Sequence, residues 1–403
     1  MKNVHKIVFL LLATGLILKL LKTLFAQNNA EFITQEEVFG WYFKAGYYGN
    51  ILVSLAAVLS TVFYRKYFPS YIFTCYIIMI VLVFMTSIND FETIMQKPSI
   101  FYSVKGIGTY INFGILFFVA SDYFFAKLQK IFYYACFVFI AAGIYNLSKV
   151  GFGASRVDYL NAIKDFAVYL IWVFPFFLLK QEENKKANII NIGIFGIIFI
   201  FILSTGARSY LAIYAIYLFI KFKNQFQSKN GLLFIFAAIL VLIASVFLFS
   251  NSGLGKALDG AFSNLMERAT EDSRSEQLEE FLSQYNFDYL IQGVGPMGTW
   301  NWSHWPVPYY YLDNQFLLLG WWAGLPTLLV YVFYVSKPIF KKTVPPIIDD
   351  IKIVKTILVF WLLACAGFAI YVGMSSDPYY DFITLLIGLA ACKNTINLVN
   401  DEQ

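Results

Sequence analysis

Long apolar runs, separated by short polar segments, fill most of the chain. A helix needs about 20 apolar residues to cross the hydrocarbon core of a bilayer. Runs near this length lie around residues 7–25, 47–64, 70–87, 104–121, 131–148, 165–180, 187–204, 209–222, 231–250, 315–336, 356–374 and 379–395. The pattern predicts an all-α polytopic membrane protein of about twelve transmembrane helices. Because the run 209–222 is short and Pro175 interrupts the run 165–180, eleven spans are the alternative.

The spacing of these runs divides the chain into three regions. Residues 1–250 contain predicted helices one to nine, residues 251–314 form one long connection, and residues 315–403 contain helices ten to twelve. The connection far exceeds the roughly 2–8 residues that usually join helices, so we expect it to be structured. Apolar residues at helical spacing predict a first helix within it: Leu254, Leu258, Phe262, Leu265 and Met266.

A second helix of this connection is predicted to begin at Ser273, because Ser273-Arg274-Ser275-Glu276 is a capping-box pattern. Its expected apolar stripe consists of Leu278, Phe281, Leu282 and Tyr285. The glycine-rich stretch 293–298 then predicts a turn, and a run rich in Trp and Tyr follows it.

Lys and Arg in the short loops predict the orientation, because cytoplasmic loops carry an excess of these residues. With the N-terminus placed in the cytoplasm, every predicted inner segment contains at least one Lys or Arg. We therefore expect both termini in the cytoplasm and the connection 251–314 on the outer side. The first run is expected to be a retained helix, because Lys19 and Lys22 interrupt its far end and no clear small-residue cleavage site follows.

Composition narrows the class of protein. Apolar residues make up 59% of the 403 positions and charged residues 14%, against about half and a quarter in soluble domains. These values exclude an ordinary soluble enzyme, a disordered chain and a coiled coil. The four cysteines are scattered and the two histidines lie far apart, so we expect no metal site. No phosphate-binding loop of the nucleotide-hydrolase type is present.

Arg208 is the first candidate for chemistry. It lies in the segment Ser204-Thr205-Gly206-Ala207-Arg208-Ser209, a turn between two apolar runs on the predicted outer side. An arginine near bilayer depth costs at least about 2.5 kcal/mol, and an anion or a polar cavity offsets that cost. The alternative is an arginine that reaches the headgroups as an anchor.

Arg274 is the second candidate, because it stands at the start of a predicted helix, where free backbone N–H groups favour an anion. A guanidinium also binds phosphate through two parallel hydrogen bonds. The alternative is a surface arginine paired with one of the neighbouring acids, which are Glu271, Asp272, Glu276 and Glu279.

Asp313 and Asn314 close the long connection. They suit either a helix cap or a carboxylate that orients or deprotonates an acceptor hydroxyl. His304 and Trp305 belong to the aromatic run, which suits an interfacial belt or a surface on which sugars stack. Asp377 and Asp381, at the outer end of the last run, are interpreted as solvated or capping residues.

Three segments in the same order resemble motifs of the bacterial O-antigen polymerase and O-antigen ligase family. Ser-Thr-Gly-Ala-Arg208-Ser is similar to the family's TGSRG turn. Arg274 with Gly293-Val294-Gly295 resembles its arginine, helix and PLxGxGxG stretch. Asp313-Asn314-Gln315-Phe316, with Gly320 and Gly324-Leu325, resembles its HNxyLxxLxxxGlxG element. The motifs cover residues 204–330, whereas the first 200 residues match only as apolar helices.

The resemblance implies an all-helical, metal-independent enzyme without a cofactor, similar to the type C glycosyltransferases. Such an enzyme moves a glycan from an undecaprenyl diphosphate carrier to a sugar hydroxyl at the outer face of the bacterial plasma membrane. Arg208 and Arg274 would then bind the diphosphate and stabilise its developing charge. The implied partners are lipid-linked glycan donor and acceptor, membrane lipid and a chain-length regulator, with no nucleic acid.

The sequence departs from the family at Asp313, where ligases of the family usually have histidine. Asp313 is expected to position or deprotonate the acceptor hydroxyl, with His304 as a substitute, and Trp305 and Asn314 as candidate acceptor or sugar contacts. The change favours a polymerase of polysaccharide repeat units over a ligase. A transporter of lipid-linked glycans is the alternative of another class, but no internal repeat is visible.

Overall fold

A computed structural model describes the chain over most of its predicted helices. The described residues are 2–28, 41–96, 106–150, 156–179, 185–205, 208–226, 273–304, 306, 308–309, 312, 314–340, 351–364 and 377–393. Within them the α-helices are α1 (Lys2–Asn28), α2 (Trp41–Tyr64), α3 (Ser70–Ser87), α4 (Phe91–Gln96), α5 (Ile107–Asn112), α6 (Asp122–Val150), α7 (Arg156–Leu179), α8 (Lys185–Thr205), α9 (Arg208–Phe226), α10 (Ser273–Gln284), α11 (Gln315–Phe340), α12 (Ile351–Leu363) and α13 (Pro378–Ala391). Short 3₁₀ segments cover Arg65–Tyr67, Ile88–Asp90, Phe113–Ala120 and Phe287–Leu290.

Helices long and apolar enough to cross a membrane confirm the class of an α-helical membrane protein. Among the described residues, six such stretches are Asn3–Ala26, Trp41–Tyr67, Ser70–Ser87, Asp122–Val150, Ala162–Leu179 and Gln315–Phe340. Shorter apolar helices are Ile107–Ala120, Ile190–Ile202, Tyr210–Lys221 and Pro378–Ala391. Each corresponds to a predicted run, and α7 continues through Pro175. The predicted run 231–250 and the predicted helix around Leu254–Met266 lie outside the described residues, so the total of twelve stays a prediction.

The chain forms two compact units. Unit 1 comprises Met1–Lys22, Phe39–Phe132 and Ser273–Gln403, and unit 2 comprises Thr23–Val38 and Tyr133–Asp272. The division differs from the predicted regions, because the chain from Ser273 onward belongs to the same unit as the first helices.

Two short helical segments form the centre of unit 1. α5 with its continuation Phe113–Ala120 is almost wholly buried, and so is α13. The ring of Phe113 lies 5.5 Å from that of Tyr380 on α13 and 6.0 Å from that of Tyr334 on α11. At 1.5 Å per residue α13 is about 21 Å long, shorter than the roughly 30 Å hydrocarbon core. Because protein surrounds both segments, almost every one of their positions is apolar.

Residues predicted to face the cytoplasm gather at one end of unit 1. His5 Nδ1 lies 2.5 Å from the hydroxyl of Tyr64. The backbone N–H of Lys393 donates to the carbonyl of Tyr67 at 2.9 Å. Lys337 Nζ lies 4.1 Å from the ring centre of Tyr71. These contacts show that the start of α1, the ends of α2, α11 and α13 and the start of α3 share one end.

A buried ion pair joins α1 to α13 near the opposite end. Lys19 Nζ contacts Asp381 Oδ2, and the two side chains are 1% and 2% exposed. Lys22 Nζ lies 3.9 Å from Asp377 Oδ1 in a partly exposed position. The interpretation of Asp381 as solvated or capping is therefore wrong. The sequence gives no hint of a pair separated by 362 positions.

The described part of unit 2 contains the last residues of α1 and the second half of α6, together with α7, α8 and α9. α7 is its central helix, since nearly every side chain from Ala162 to Leu179 is buried. Tyr133 donates its hydroxyl to Asn191 Oδ1 at 2.9 Å, which links α6 to α8. The rings of Phe195 and Tyr214 stack with centres 4.1 Å apart and link α8 to α9.

We predict that breaking the buried pair destabilises unit 1 severely. Lys19→Ala or Asp381→Ala leaves one charge buried without its partner, which costs about 3–5 kcal/mol. Unfolding of the purified protein in detergent measures the loss.

Two variants serve as controls for this prediction. Lys22→Ala removes the partly exposed pair and should cost about 1 kcal/mol or less. The double variant Lys19→Met with Asp381→Leu removes both charges and should recover most of the stability. Equal effects of Lys19→Ala and Lys22→Ala would contradict the assignment.

Candidate functional site

Two of the three segments that resemble family motifs are hydrogen-bonded to each other: the glycine-rich stretch 293–295 and the first half of α11. The backbone N–H of Val294 donates to the carbonyl of Trp321 at 2.9 Å, and that of Gly295 donates to Trp322 at 3.0 Å. The glycine-rich stretch after α10 is thereby fastened to the first half of α11.

A break in α11 supplies the two acceptors. Gly324 has φ 81° and ψ 158°, far from helical values, so the helix stops and restarts there. Pro326 follows, and its nitrogen carries no hydrogen to donate to Trp322, four residues earlier. The carbonyls of Trp321 and Trp322 therefore need partners from elsewhere, and the stretch after α10 provides them.

Glycine is required at two points of this junction. Gly293 has φ 73°, and a Cβ there would collide with the carbonyl of Trp322. A Cβ on Gly324 would collide with the carbonyl of Ile291. Any other residue would strain the backbone and force the two segments apart.

An aromatic cluster packs α10 against α11. Its buried members are Phe281, Trp300, Leu312, Leu318, Trp321 and Trp322. Phe281 lies between Trp300 and Trp321, with ring centres 5.5 and 5.4 Å away. α10 was expected to bury Leu282, but that side chain is 47% exposed while Gln277 is 5% exposed. The predicted stripe is wrong at Leu282, because the face of α10 turns toward Phe281 and Gln277.

A short hairpin between α10 and α11 presents aromatic rings. Trp300 and Tyr309 exchange backbone hydrogen bonds of 2.7 and 2.6 Å. Trp302 lies 5.0 Å from Tyr309 and 5.5 Å from His304, measured between ring centres. We call Trp302, His304 and Tyr309 the aromatic patch. Trp302 and Tyr309 are half-buried, and His304 is 59% exposed.

A polar stripe on α10 holds this hairpin. Gln284 makes two hydrogen bonds with the backbone of Asn301, at 2.7 and 3.0 Å. Glu280 Oε2 accepts from the backbone N–H of Ser303 at 3.0 Å, and Glu276 Oε2 lies 3.9 Å from His304 Nε2.

The spacing of four residues puts Glu276, Glu280 and Gln284 on one helix face. This stripe was not predicted from the sequence, although the spacing of four residues is visible there.

Hydrogen bonds from Ser303 lower the pKa of Glu280, since its side chain and backbone both stabilise the carboxylate. The nearby His304 adds a smaller effect in the same direction.

The structure locates some of the predicted site residues. Asn314 caps α11, because its Oδ1 accepts from the backbone N–H groups of Phe316 and Leu317 at 3.1 Å each. Trp305 and Asp313 lie outside the described residues. Arg208 is the first residue of α9 in unit 2, and Arg274 is the second residue of α10 in unit 1. The side chains of both arginines lie outside the described part of the chain, so their convergence stays a prediction.

The described site combines aromatic rings with carboxylate groups next to them. Aromatic faces stack on apolar ring surfaces, and ionised Glu276 and Glu280 accept hydrogen bonds from hydroxyl groups. Among the described residues no group of three His, Cys, Asp or Glu side chains is placed to hold a metal ion.

Comparison with known proteins assigns no family to the chain. No protein-family model, curated protein or solved structure matches it.

We predict that Gly324→Ala loosens the contact between the stretch after α10 and α11. The added Cβ pushes Ile291 away and breaks the hydrogen bonds at Trp321 and Trp322, at a cost of about 1–3 kcal/mol. Limited proteolysis between α10 and α11 and thermal unfolding in detergent measure the change. Gly193→Ala on α8 is the matched control, because its Cβ would meet no atom within 4 Å, and it should not lower stability.

We also predict that acid releases the hairpin from α10. Because the pKa of Glu280 is lowered by folding, its contribution is present above the ordinary value of 4.5 and is lost as pH falls through the lowered pKa. The protection factor of the Ser303 amide, which is its exchange rate compared with that of an unprotected amide at the same pH, should therefore fall below about pH 4.5. Glu280→Gln should show low protection at neutral pH and a weaker dependence on acid, while Glu279→Gln, one position away, should behave like the parent protein.

Proposed function

We propose that the protein is a membrane glycosyltransferase that polymerises polysaccharide repeat units. The observation that carries the proposal is the hydrogen-bonded junction between Gly293-Val294-Gly295 and the break of α11 at Gly324. Segments that resemble two separate family motifs are thereby parts of one structure, as expected if both serve one site.

In the proposed reaction the donor is a glycan on undecaprenyl diphosphate and the acceptor is the sugar hydroxyl of another lipid-linked repeat unit. The hydroxyl oxygen attacks the anomeric carbon, and the bond from that carbon to the diphosphate breaks. The diphosphate leaves with the bonding electrons, and Arg208 and Arg274 stabilise its charge. The proton of the hydroxyl passes to Asp313. The proposed reaction uses no metal or cofactor.

The aromatic patch supports a role in binding sugars. Trp302 and Tyr309 offer rings for the apolar face of a pyranose. Glu276 and His304 lie 3.9 Å apart at the edge of the patch, where sugar hydroxyls find both acceptors and donors. We place the acceptor glycan against this patch and keep Trp305 as a candidate sugar contact.

The proposal includes the full topology. Twelve spans with both termini in the cytoplasm put α10 and the aromatic patch on the outer face of a bacterial plasma membrane. The gathering of Arg65, Lys337 and Lys393 at one end of unit 1 supports this orientation, because inner loops are rich in Lys and Arg. A chain-length regulator would bind from the membrane or its outer face.

A ligase that transfers finished chains to a lipid A core or another acceptor shares the donor and the junction. Asp313 in place of the ligases' usual histidine favours the polymerase. Deleting the gene and separating the surface polysaccharide on a gel distinguishes the activities. Loss of a polymerase leaves core lipid that carries a single repeat unit, and the ladder of longer chains is missing from the gel. Loss of a ligase leaves core lipid without any repeat unit, while the polymerised chains stay on their lipid carrier. Loss of a transporter leaves single repeat units on the inner side of the membrane.

We predict that Arg274→Ala and Arg208→Ala each abolish the polysaccharide ladder. Loss of one group that stabilises the leaving charge lowers the rate by about 10²–10³, which a gel shows as single-repeat product. Protein abundance is measured in parallel by immunoblot.

Arg65→Ala is the matched control, since Arg65 lies at the opposite, predicted cytoplasmic end and packs on the ring of Phe73 at 5.0 Å. It should leave the ladder intact. A normal ladder in Arg274→Ala would contradict the proposed site.

A further inference from the structure

The stretch after α10 has an unusual composition for a loop in water. Residues 289–312 contain no Asp, Glu, Lys or Arg. The first part of this stretch also exposes large apolar side chains: Tyr289 at 40%, Leu290 at 37%, Ile291 at 74% and Met297 at 43%. A soluble loop rarely combines these two properties.

The cation–π contact between Lys337 and Tyr71 gives a depth marker for α3 and α11. Lys337 Nζ lies 4.1 Å from the Tyr71 ring, so the two residues lie at one level. A lysine at a helix end places its charge at the headgroups. About 20 residues of helix from that level cover the roughly 30 Å of hydrocarbon. The hydrocarbon then ends near Phe91 after α3 and near Leu317 on α11.

The contacts of the stretch lie below this boundary. Trp321 and Trp322, which hold Val294 and Gly295, are about 6–8 Å inside Leu317 along the helix. The carbonyl of Ile291 lies against Gly324, which is about 10 Å inside.

Met297 marks the return of the chain to the boundary. Its backbone N–H donates to Asp90 Oδ2 at 3.2 Å, and Asp90 directly precedes Phe91. The chain therefore enters after Tyr289, is deepest near Ile291 and has returned to the boundary by Met297.

Three consecutive backbone N–H groups of this stretch are paired within the protein. The N–H of Gly293 donates to the carbonyl of Tyr289 at 2.7 Å, and those of Val294 and Gly295 donate to α11. Irregular backbone at membrane depth is tolerated where such groups are paired within protein.

The exposed side chains of the stretch continue an apolar surface already present on the neighbouring span. Met85 near the end of α3, Ile88 in the 3₁₀ segment after it and Phe91 at the start of α4 are 61%, 53% and 54% exposed. Met297 joins this surface through its hydrogen bond to Asp90. Bilayer hydrocarbon covers such a face on a membrane-spanning helix.

We infer that residues 289–297 form a re-entrant segment in the outer leaflet, with the side chain of Ile291 in contact with the acyl chains of bilayer lipids. The inference rests on the membrane spans and their contacts, and it does not depend on glycosyl transfer. The aromatic run that follows then lies at the level of the headgroups, where Trp and Tyr are enriched.

A spin label at position 291 tests the inference. The full-length protein, with its four cysteines replaced by alanine, carries Ile291→Cys and is reconstituted into phosphatidylcholine vesicles. Power saturation compares the accessibility of the label to oxygen, which concentrates in hydrocarbon, with that to a water-soluble nickel chelate. Val81→Cys, at a 49% exposed position in the middle of α3, marks hydrocarbon, and Ser275→Cys on α10 marks water.

The ratio of oxygen to nickel accessibility at Ile291 should resemble that at Val81, and Met297→Cys should give a smaller ratio than Ile291. A ratio at Ile291 nearer to that at Ser275 would overturn the inference. If Ile291→Cys fails to fold, Leu290→Cys repeats the measurement with the same two outcomes.

Discussion

The two hydrogen bonds from Val294 and Gly295 to the carbonyls of Trp321 and Trp322 organise the part of unit 1 that contains α10, the hairpin and the first half of α11. They exist because Gly324 and Pro326 interrupt α11 and leave acceptors that must be satisfied. The aromatic cluster packs on the same half-helix, and α10 holds the hairpin through its polar stripe. The position of the aromatic patch thus depends on a break within a predicted transmembrane helix. Rigid support of this kind suits the proposed reaction, in which a sugar hydroxyl must be held in a precise position and orientation.

Hydrophobic periodicity was enough to predict the membrane class and the positions of most described helices. It succeeds for α1, α2 and α3 because hydrocarbon selects for long apolar runs. The capping-box pattern in turn located the start of α10 at Ser273. Hydrophobic periodicity cannot show that α5 and α13 are enclosed by protein, since apolar side chains suit a protein interior and lipid equally well.

The sequence failed where contacts join distant positions or where local rules compete. Lys19 and Asp381 each resemble an ordinary residue near a helix end, and only the packing of α1 on α13 reveals their pairing. Gly324 with Pro326 could be noticed as helix breakers, but their partners at Val294 and Gly295 could not. Asn314 illustrates a competing rule, because one amide can cap a helix or contact a ligand, and the structure places it in the cap.

The wide sequence separation of Lys19 and Asp381 has a consequence for biosynthesis. Asp381 is added 362 residues after Lys19, which at about 5–20 residues per second takes roughly 20–70 s. During that interval the lysine has no carboxylate partner, and an unpaired charge in hydrocarbon is unfavourable. Its position near the C-terminal end of α1 lets the flexible ammonium reach the headgroups meanwhile. The core of unit 1 can therefore be completed only after α13 has been synthesised and has brought Asp381 to the lysine.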